Sequence, residues 1–421
     1  MRWPKRPIRA GIRLSARRSH TGCAGVPAGI KRAAAKRRAR VAGGWAARFL
    51  APAPLFAAIV LSTLSLGGCS AVGKPEHACR PLEVAEFPLL GGIRGTWMDD
   101  ERFVLADLHQ SRLLVYSTSE GLVGVVNGWE SEDLELNFVS PADIQPWEDG
   151  YLLADGFTDR DRLLGLGADL RPVRVLWESD VEKGRGKWEG EEIFALSRMV
   201  ALRDRLYVQA SRLTDGEQSE REYAEFGAAH QPDLPAGALR ELAAWPGFEG
   251  ERDWYGSLHD LATTGGRGVA VFALRSSPAG PFVQELVGSG RRLDAFPDLP
   301  APMPVLPRAG PDEHDAFYAA LEASSYPAGL FGDRNSLYVL MRDATGGEPV
   351  WDLHRIDPQR DEVVGTIRLP TNAAHVSLLP GRRYWVLEES SSGLEGFFRP
   401  PTRFLLLSSA ALHAGEVPSC D

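Results

Sequence analysis

Acidic residues are missing from residues 1–69, which hold 14 Lys/Arg; the first acid is Glu76. Residues 1–40, rich in Arg, Ala and Gly, also lack apolar periodicity, so they supply nothing to a packed core. No apolar run is long enough to cross a bilayer. The best, residues 55–66, is broken by Ser62, Thr63 and Ser65 and falls short of the about 20 residues a spanning helix needs. Cysteine is scarce: four in 421 residues, with only Cys79 and Cys420 beyond position 69. Two cysteines exclude both a dense disulfide framework and a structural zinc site built on cysteine alone. G-x-S-x-G, H-E-x-x-H and a phosphate-cradling glycine loop are all absent, which removes the serine-hydrolase, zincin and P-loop signatures.

What is present begins with a leader. A basic region, a short apolar run and small residues ahead of a cysteine follow the layout of a signal peptide. Leu66-Gly67-Gly68-Cys69 resembles the lipobox of bacterial lipoproteins. That resemblance implies cleavage before Cys69, acylation of Cys69 (palmitate among the chains), and a cell-envelope protein held to the membrane by lipid. Ser70 and Ala71 are not the aspartate tied to inner-membrane retention, so the outer membrane is expected if the source is Gram-negative. The competing readings are ordinary cleavage with an unmodified cysteine, and a retained span. Residues 70–78 are read as a tether. An alternative start, for example at Val41, would leave residues 1–40 untranslated.

Without residues 1–69 the chain keeps 33 Lys/Arg against 56 Asp/Glu, a charge of −23 where the whole sequence carries −9. Such a surface repels polyanions, so no nucleic-acid partner is expected. The expected partners are the membrane, through the anchor, and a protein or glycan ligand. Cys79 and Cys420 sit at opposite ends of this domain. In an oxidising compartment a disulfide between them is expected, with two free thiols as the alternative.

Residues 79–421 are rich in short strand-like runs separated by Gly, Pro, Asp and Arg-containing turns: Phe103-Val104-Leu105-Ala106, Arg112-Leu113-Leu114-Val115-Tyr116, Tyr151-Leu152-Leu153-Ala154, Leu337-Tyr338-Val339-Leu340 and Tyr384-Trp385-Val386-Leu387 among them. Six units beginning near residues 96, 142, 193, 257, 329 and 374 account for the domain, and units of 40–50 residues with four strands have the propeller period. Ala106-Asp107-Leu108-His109-Gln110-Ser111-Arg112, running on to Gly121, resembles the repeat of NHL-type six-bladed propellers; Asp107 and Arg112 match, and Gln110 stands where that family has Asn. Ala154-Asp155 is a partial echo. The expectation is therefore an all-β, six-bladed β-propeller, with a β-sandwich as the alternative. The last unit is one strand short, and residues 82–89 could complete it, bringing Cys79 beside Cys420. Insertions are expected near 216–255 and 295–328, with short helices at 217–227, 235–245 and 312–325.

Candidate chemistry is thin. Asp155, Asp159 and Asp161 suggest a cation loop but lack EF-hand spacing, so a solvated turn is the stronger reading. Asp312-Glu313-His314-Asp315 reads as a helix start rather than a metal site. His259, Asp260, Asn372 and His375 lie near the starts of presumed inner strands, where six-bladed hydrolases hold a catalytic calcium; an ordinary polar lining is the plainer reading. Trp245, Trp254 and Tyr255 either stack on a ligand or fasten an insertion. No metal site or cofactor is predicted, calcium being the one candidate. The function expected is a lipid-anchored binding or scaffold module, with a metal-dependent hydrolase or lactonase as the alternative.

Overall fold

Apolar runs without alternation belong to strands covered on both faces, whereas alternating runs belong to strands with one wet face. Both kinds occur in each well-formed sheet. Phe103 to Ala106 on a second strand are wholly buried, while the fourth strand of the same sheet exposes Val123 and Val125. The structure is a computed structural model describing residues 78–84, 93–108, 110–156, 162–178, 187–188, 191–202, 205–213, 219–226, 239–244, 260–264, 270–277, 280–287, 289–300, 319–333, 335–390, 403–416 and 420. Cys69 and the leader lie outside these residues.

After β1 (Cys79–Leu82), the first sheet comprises β2 (Gly95–Trp97), β3 (Arg102–Asp107), β4 (Arg112–Ser117) and β5 (Gly121–Asn127). The second holds β6 (Pro141–Trp147), β7 (Gly150–Asp155), β8 (Arg162–Leu166) and β9 (Pro172–Glu178). The third has five strands: β10 (Lys187–Trp188), β11 (Glu191–Leu202), β12 (Arg205–Leu213), β13 (Ser219–Phe226) and β14 (Leu239–Ala244). The fourth has three: β15 (Asp260–Thr264), β16 (Ala270–Ser277) and β17 (Gly280–Val287). The fifth contains β18 (Tyr326–Gly332), β19 (Leu337–Asp343), β20 (Val350–Asp357) and β21 (Glu362–Arg368). The last joins β22 (His375–Leu379), β23 (Tyr384–Ser390) and β24 (Arg403–Ser408) to β1.

Every sheet is antiparallel and, apart from the β1–β24 pairing that closes the last one, a meander. One strand of each sheet touches the next in succession: β2 with β6, β6 with β11, β11 with β15, β15 with β18, β18 with β22. The circuit closes where Ile93 N–H donates to Ser377 Oγ at 3.1 Å. This radial repetition is a β-propeller.

Three expectations need correction. Five sheets among the described residues reach four or more strands, so the propeller shows five complete blades rather than six. In the three-stranded sheet the chain turns back after β17 but makes only a bridge, Gln284 to Arg292, before Pro297 and Pro300. Proline has no N–H to continue a ladder.

Within the expected helices at 217–227 and 235–245, residues 219–226 and 239–244 are strands, the remainder lying outside the described residues: β13 pairs with β12 from Leu206↔Phe226 to Leu213↔Ser219, and β14 pairs with β13. A short helix is marginal alone, whereas these segments satisfy the open edge of a long strand. Of 312–325, residues 319–322 are helical and 312–318 fall outside the described residues.

The closing strand is Cys79–Leu82 rather than 82–89. It pairs with β24 from Cys79↔Leu407 to Leu82↔Phe404. A disulfide joins Cys79 to Cys420, 341 residues away, with Cα atoms 4.7 Å apart. Between them, α1 (Ser409–Ala414) is capped by the Ser408 side chain and stopped by Gly415 at φ 77°.

Candidate functional site

Asp143 is fully buried in β6, one residue past a bulge at Pro141/Asp143. Its Oδ1 accepts Ile144 N–H at 2.9 Å, and its Oδ2 accepts Met199 N–H of β11 at 2.8 Å. Asp260, first residue of β15, repeats the device: it accepts its neighbour Leu261 N–H and, on Oδ2, Leu330 N–H of β18 at 3.1 Å. Ser377 of β22 does the same for Ile93, ahead of β2. Alternate inner strands thus each hold the next sheet by a polar side chain gripping a backbone amide. Arg198 of β11 adds the connection to β15 by donating Nε–H to Asp260 Oδ1 at 2.8 Å.

Burial pushes the Asp143 carboxyl above the usual carboxylate range, against the pull of Arg198 and Arg94. Glu388 on β23 is pushed up to about 7, also by burial, although Ser377 and Ser390 donate hydroxyl bonds to it. These inner carboxylates are engaged by protein donors.

The residues singled out in the sequence fall unevenly. Asp107 pairs with Arg112 at 2.8 Å in a buried site and accepts Gln110 N–H, so the Asp-to-Arg pattern locks the β3–β4 turn. Asp155 takes Val139 and Ser140 N–H at 2.9 and 2.7 Å and pairs with Arg162 at 2.5 Å. It is a buried latch on the incoming chain, which corrects the reading of Asp155 as part of a solvated turn; Asp159 and Asp161 lie outside the described residues. Asn372, three residues ahead of β22, is exposed and lies 3.4 Å from Glu348 Oε2. His375 opens β22 but faces Glu322 at 3.5 Å, and burial lowers its pKa. His109, Trp245, Trp254, Tyr255, His259 and 312–315 lie outside the described residues. Among the described residues no group of three or more His, Cys, Asp or Glu is placed to hold a metal.

Missing from the sequence reading was a cavity of about 770 Å³ at the turn ends of the fifth, last and first sheets. Trp97 at the end of β2, Asp333 and Asn335 in the β18–β19 turn, Arg382 in the β22–β23 turn, Trp385 on β23 and His413 on α1 line it. Asp333 is saturated: Oδ1 accepts Asn335 and Ser336 N–H at 2.8 and 2.7 Å, and Oδ2 meets Tyr338 Oη and His413 Nε2 at 3.0 and 2.9 Å. Burial raises the Tyr338 phenol above its ordinary pKa, and Asp333 adds to the effect.

Gly381 lies flat on the Trp97 indole, where a Cβ would come within 2.4 Å of the ring. Ser409 pins this turn from both sides, its Oγ donating to Gly381 O at 2.8 Å and its N–H to Arg383 O at 2.9 Å. A volume in this range with a mixed aromatic and polar lining is the ordinary form of a small-ligand site.

No protein-family model matches the chain, and no curated protein matches it in sequence. Solved structures are similar at low identity. A Bacteroides fragilis protein described as exported is 13% identical, with 79% of this chain and 94% of that one covered and a TM-score of 0.45. A member of the DUF4221 family from Bacteroides vulgatus is 9% identical, covering 78% and 95%, also at 0.45. The calcium-binding protein regucalcin from Agrobacterium tumefaciens is 11% identical, covering 77% and 91%, at 0.43.

Proposed function

We propose that this β-propeller is a cell-envelope binding module, anchored by acylated Cys69, whose ligand site is the cavity between Trp97, Asp333, Arg382 and His413. The cavity carries the reading: it joins a flat aromatic wall to polar groups on turns that are already fixed, so little ordering is needed on binding. The leader and the Leu66-Gly67-Gly68-Cys69 sequence support the location. The alternative, a metal-dependent hydrolase or lactonase using calcium at the channel, draws no support from Asp143 and Asp260, whose oxygens already hold amides of two sheets.

Asn335 is exposed and its side chain lines the cavity, so Asn335→Trp should fill the space without disturbing the core. A panel of glycans, peptides and small acids is screened against the full chain by thermal shift. A ligand that raises Tm for the wild type and not for Asn335→Trp supports the reading. Ligands bound equally by both variants would move the site elsewhere. Mass spectrometry of the mature N-terminal peptide tests the anchor independently, acylated Cys69 being the expected outcome.

A further inference from the structure

The ionisable side chains lining the cavity are Asp333, Arg382 and His413. The Asp333 carboxylate has its four acceptor positions filled, His413 Nε2 being one of its partners. Arg382 is exposed and makes no hydrogen bond or ion pair among the described residues. Its backbone is nevertheless held, because Ser409 clamps the residues on either side. An exposed guanidinium with no counter-charge among the described residues, carried on a clamped turn beside a saturated carboxylate, stands out in a domain of charge −23. A guanidinium fork matches a phosphate or carboxylate in two parallel hydrogen bonds, and Trp97 and Trp385 on the same lining give the cavity an apolar wall.

We infer that the cavity takes an anion: a phosphate or carboxylate on a small ring-bearing or polyol ligand, gripped by Arg382 in the space that Trp97 and Trp385 line. This rests on the cavity being the ligand site, and it names the ligand's chemistry. Such an anion has two sources, a free sugar acid or phosphate and a phospholipid headgroup. The second is within reach. Cys79, Leu407 and Trp385 are paired across three adjacent strands, which puts the cavity about 10 Å from the disulfide. Ten residue steps from Cys69 to Cys79 span at most about 36 Å.

The test uses the full chain in nonionic detergent, with tryptophan fluorescence and calorimetry as readouts. Glucuronate, glucose 6-phosphate and neutral glucose share one ring and differ in charge. Saturable binding of either anion, at least ten-fold tighter than glucose, is expected. Arg382→Ala should weaken it ten-fold or more, and Arg382→Lys should restore part of it. Vesicles of phosphatidylglycerol against phosphatidylcholine, with the chain reconstituted by detergent removal, form the second arm. Arg382-dependent binding to the former without binding of the free anions assigns the headgroup; the reverse assigns the soluble anion.

Equal affinity for glucose and glucuronate, indifference to Arg382→Ala, or no saturable binding of any anion in either arm overturns the inference. A neutral ligand blocked by Asn335→Trp would do so while leaving the cavity as the binding site. Anion binding insensitive to both Arg382→Ala and Asn335→Trp overturns both.

Discussion

The inner strands and the turn-end cavity use similar residues to opposite ends. Around the inner strands Asp143, Asp260 and Ser377 each grip an amide of the next sheet, and Arg198 lies against Asp260. In the cavity Asp333 is equally committed, but Arg382 extends from a clamped turn with no partner among the described residues. Removing a polar group from the first region leaves buried amides orphaned; removing Arg382 leaves nothing orphaned. The same side-chain chemistry is therefore structural in one region and available in the other, and the difference lies in whether the partner belongs to the chain.

The largest test of that contrast is Asp143→Ala. Loss of the carboxylate strands the buried amides of Ile144 and Met199, and unfolding free energy should drop by about 3 kcal/mol in urea titration. A drop under about 0.5 kcal/mol would make the inner carboxylates dispensable and erase the distinction. Next comes Glu388→Gln, which keeps a polar side chain beside Ser377 and Ser390 without the ionisation.

The unfolded Glu388 ionises near pH 4.5 and the folded one near 7, so rising pH favours the unfolded chain between those values. Below 4.5 the penalty is absent, and above 7 it is full. Wild-type stability should fall from pH 5 to 7.5, and the variant should fall less; Asp143, also raised, keeps part of the slope. Equal slopes would show that Glu388 ionises freely in the fold. Smallest is Arg382→Ala, expected to shift stability by no more than about 0.5 kcal/mol while weakening anion binding ten-fold or more. A larger loss of stability would place Arg382 with the structural groups.

Much of the architecture was legible because its causes are local. Two-sided burial of middle strands writes itself as unbroken apolar runs such as Tyr384-Trp385-Val386-Leu387, and the expected unit starts near 96, 142, 329 and 374 fall at β2, β6, β18 and β22. What misled was equally physical. Ser219–Phe226 alternates so weakly that helix and strand compete locally, and only pairing with β12 decides. The prolines after β17 limit a blade in a way that counting apolar runs cannot register.

Of the candidate site residues, Asp260 was found where it matters, at the head of an inner strand. Asp143 was passed over although a lone acid inside Ala142-Asp143-Ile144 is a visible anomaly. The cavity left no local signature at all. Trp97, Asp333, Arg382 and His413 are up to 316 positions apart, and only ring closure assembles them.

That closure has a consequence for how the chain comes together in time. The segment Cys79–Leu82 is made before any blade, yet its partner β24 and Cys420 come from the last 19 residues. The first strand to exist is the last to be placed. Until the final residues arrive, β1 must wait unpaired beside a growing stack of sheets, and the seam between last and first blades stays open. The cavity spans that seam, from Trp97 on one side to Arg382 and His413 on the other. It is thus absent from every partly made ring and comes into being only with the finished molecule.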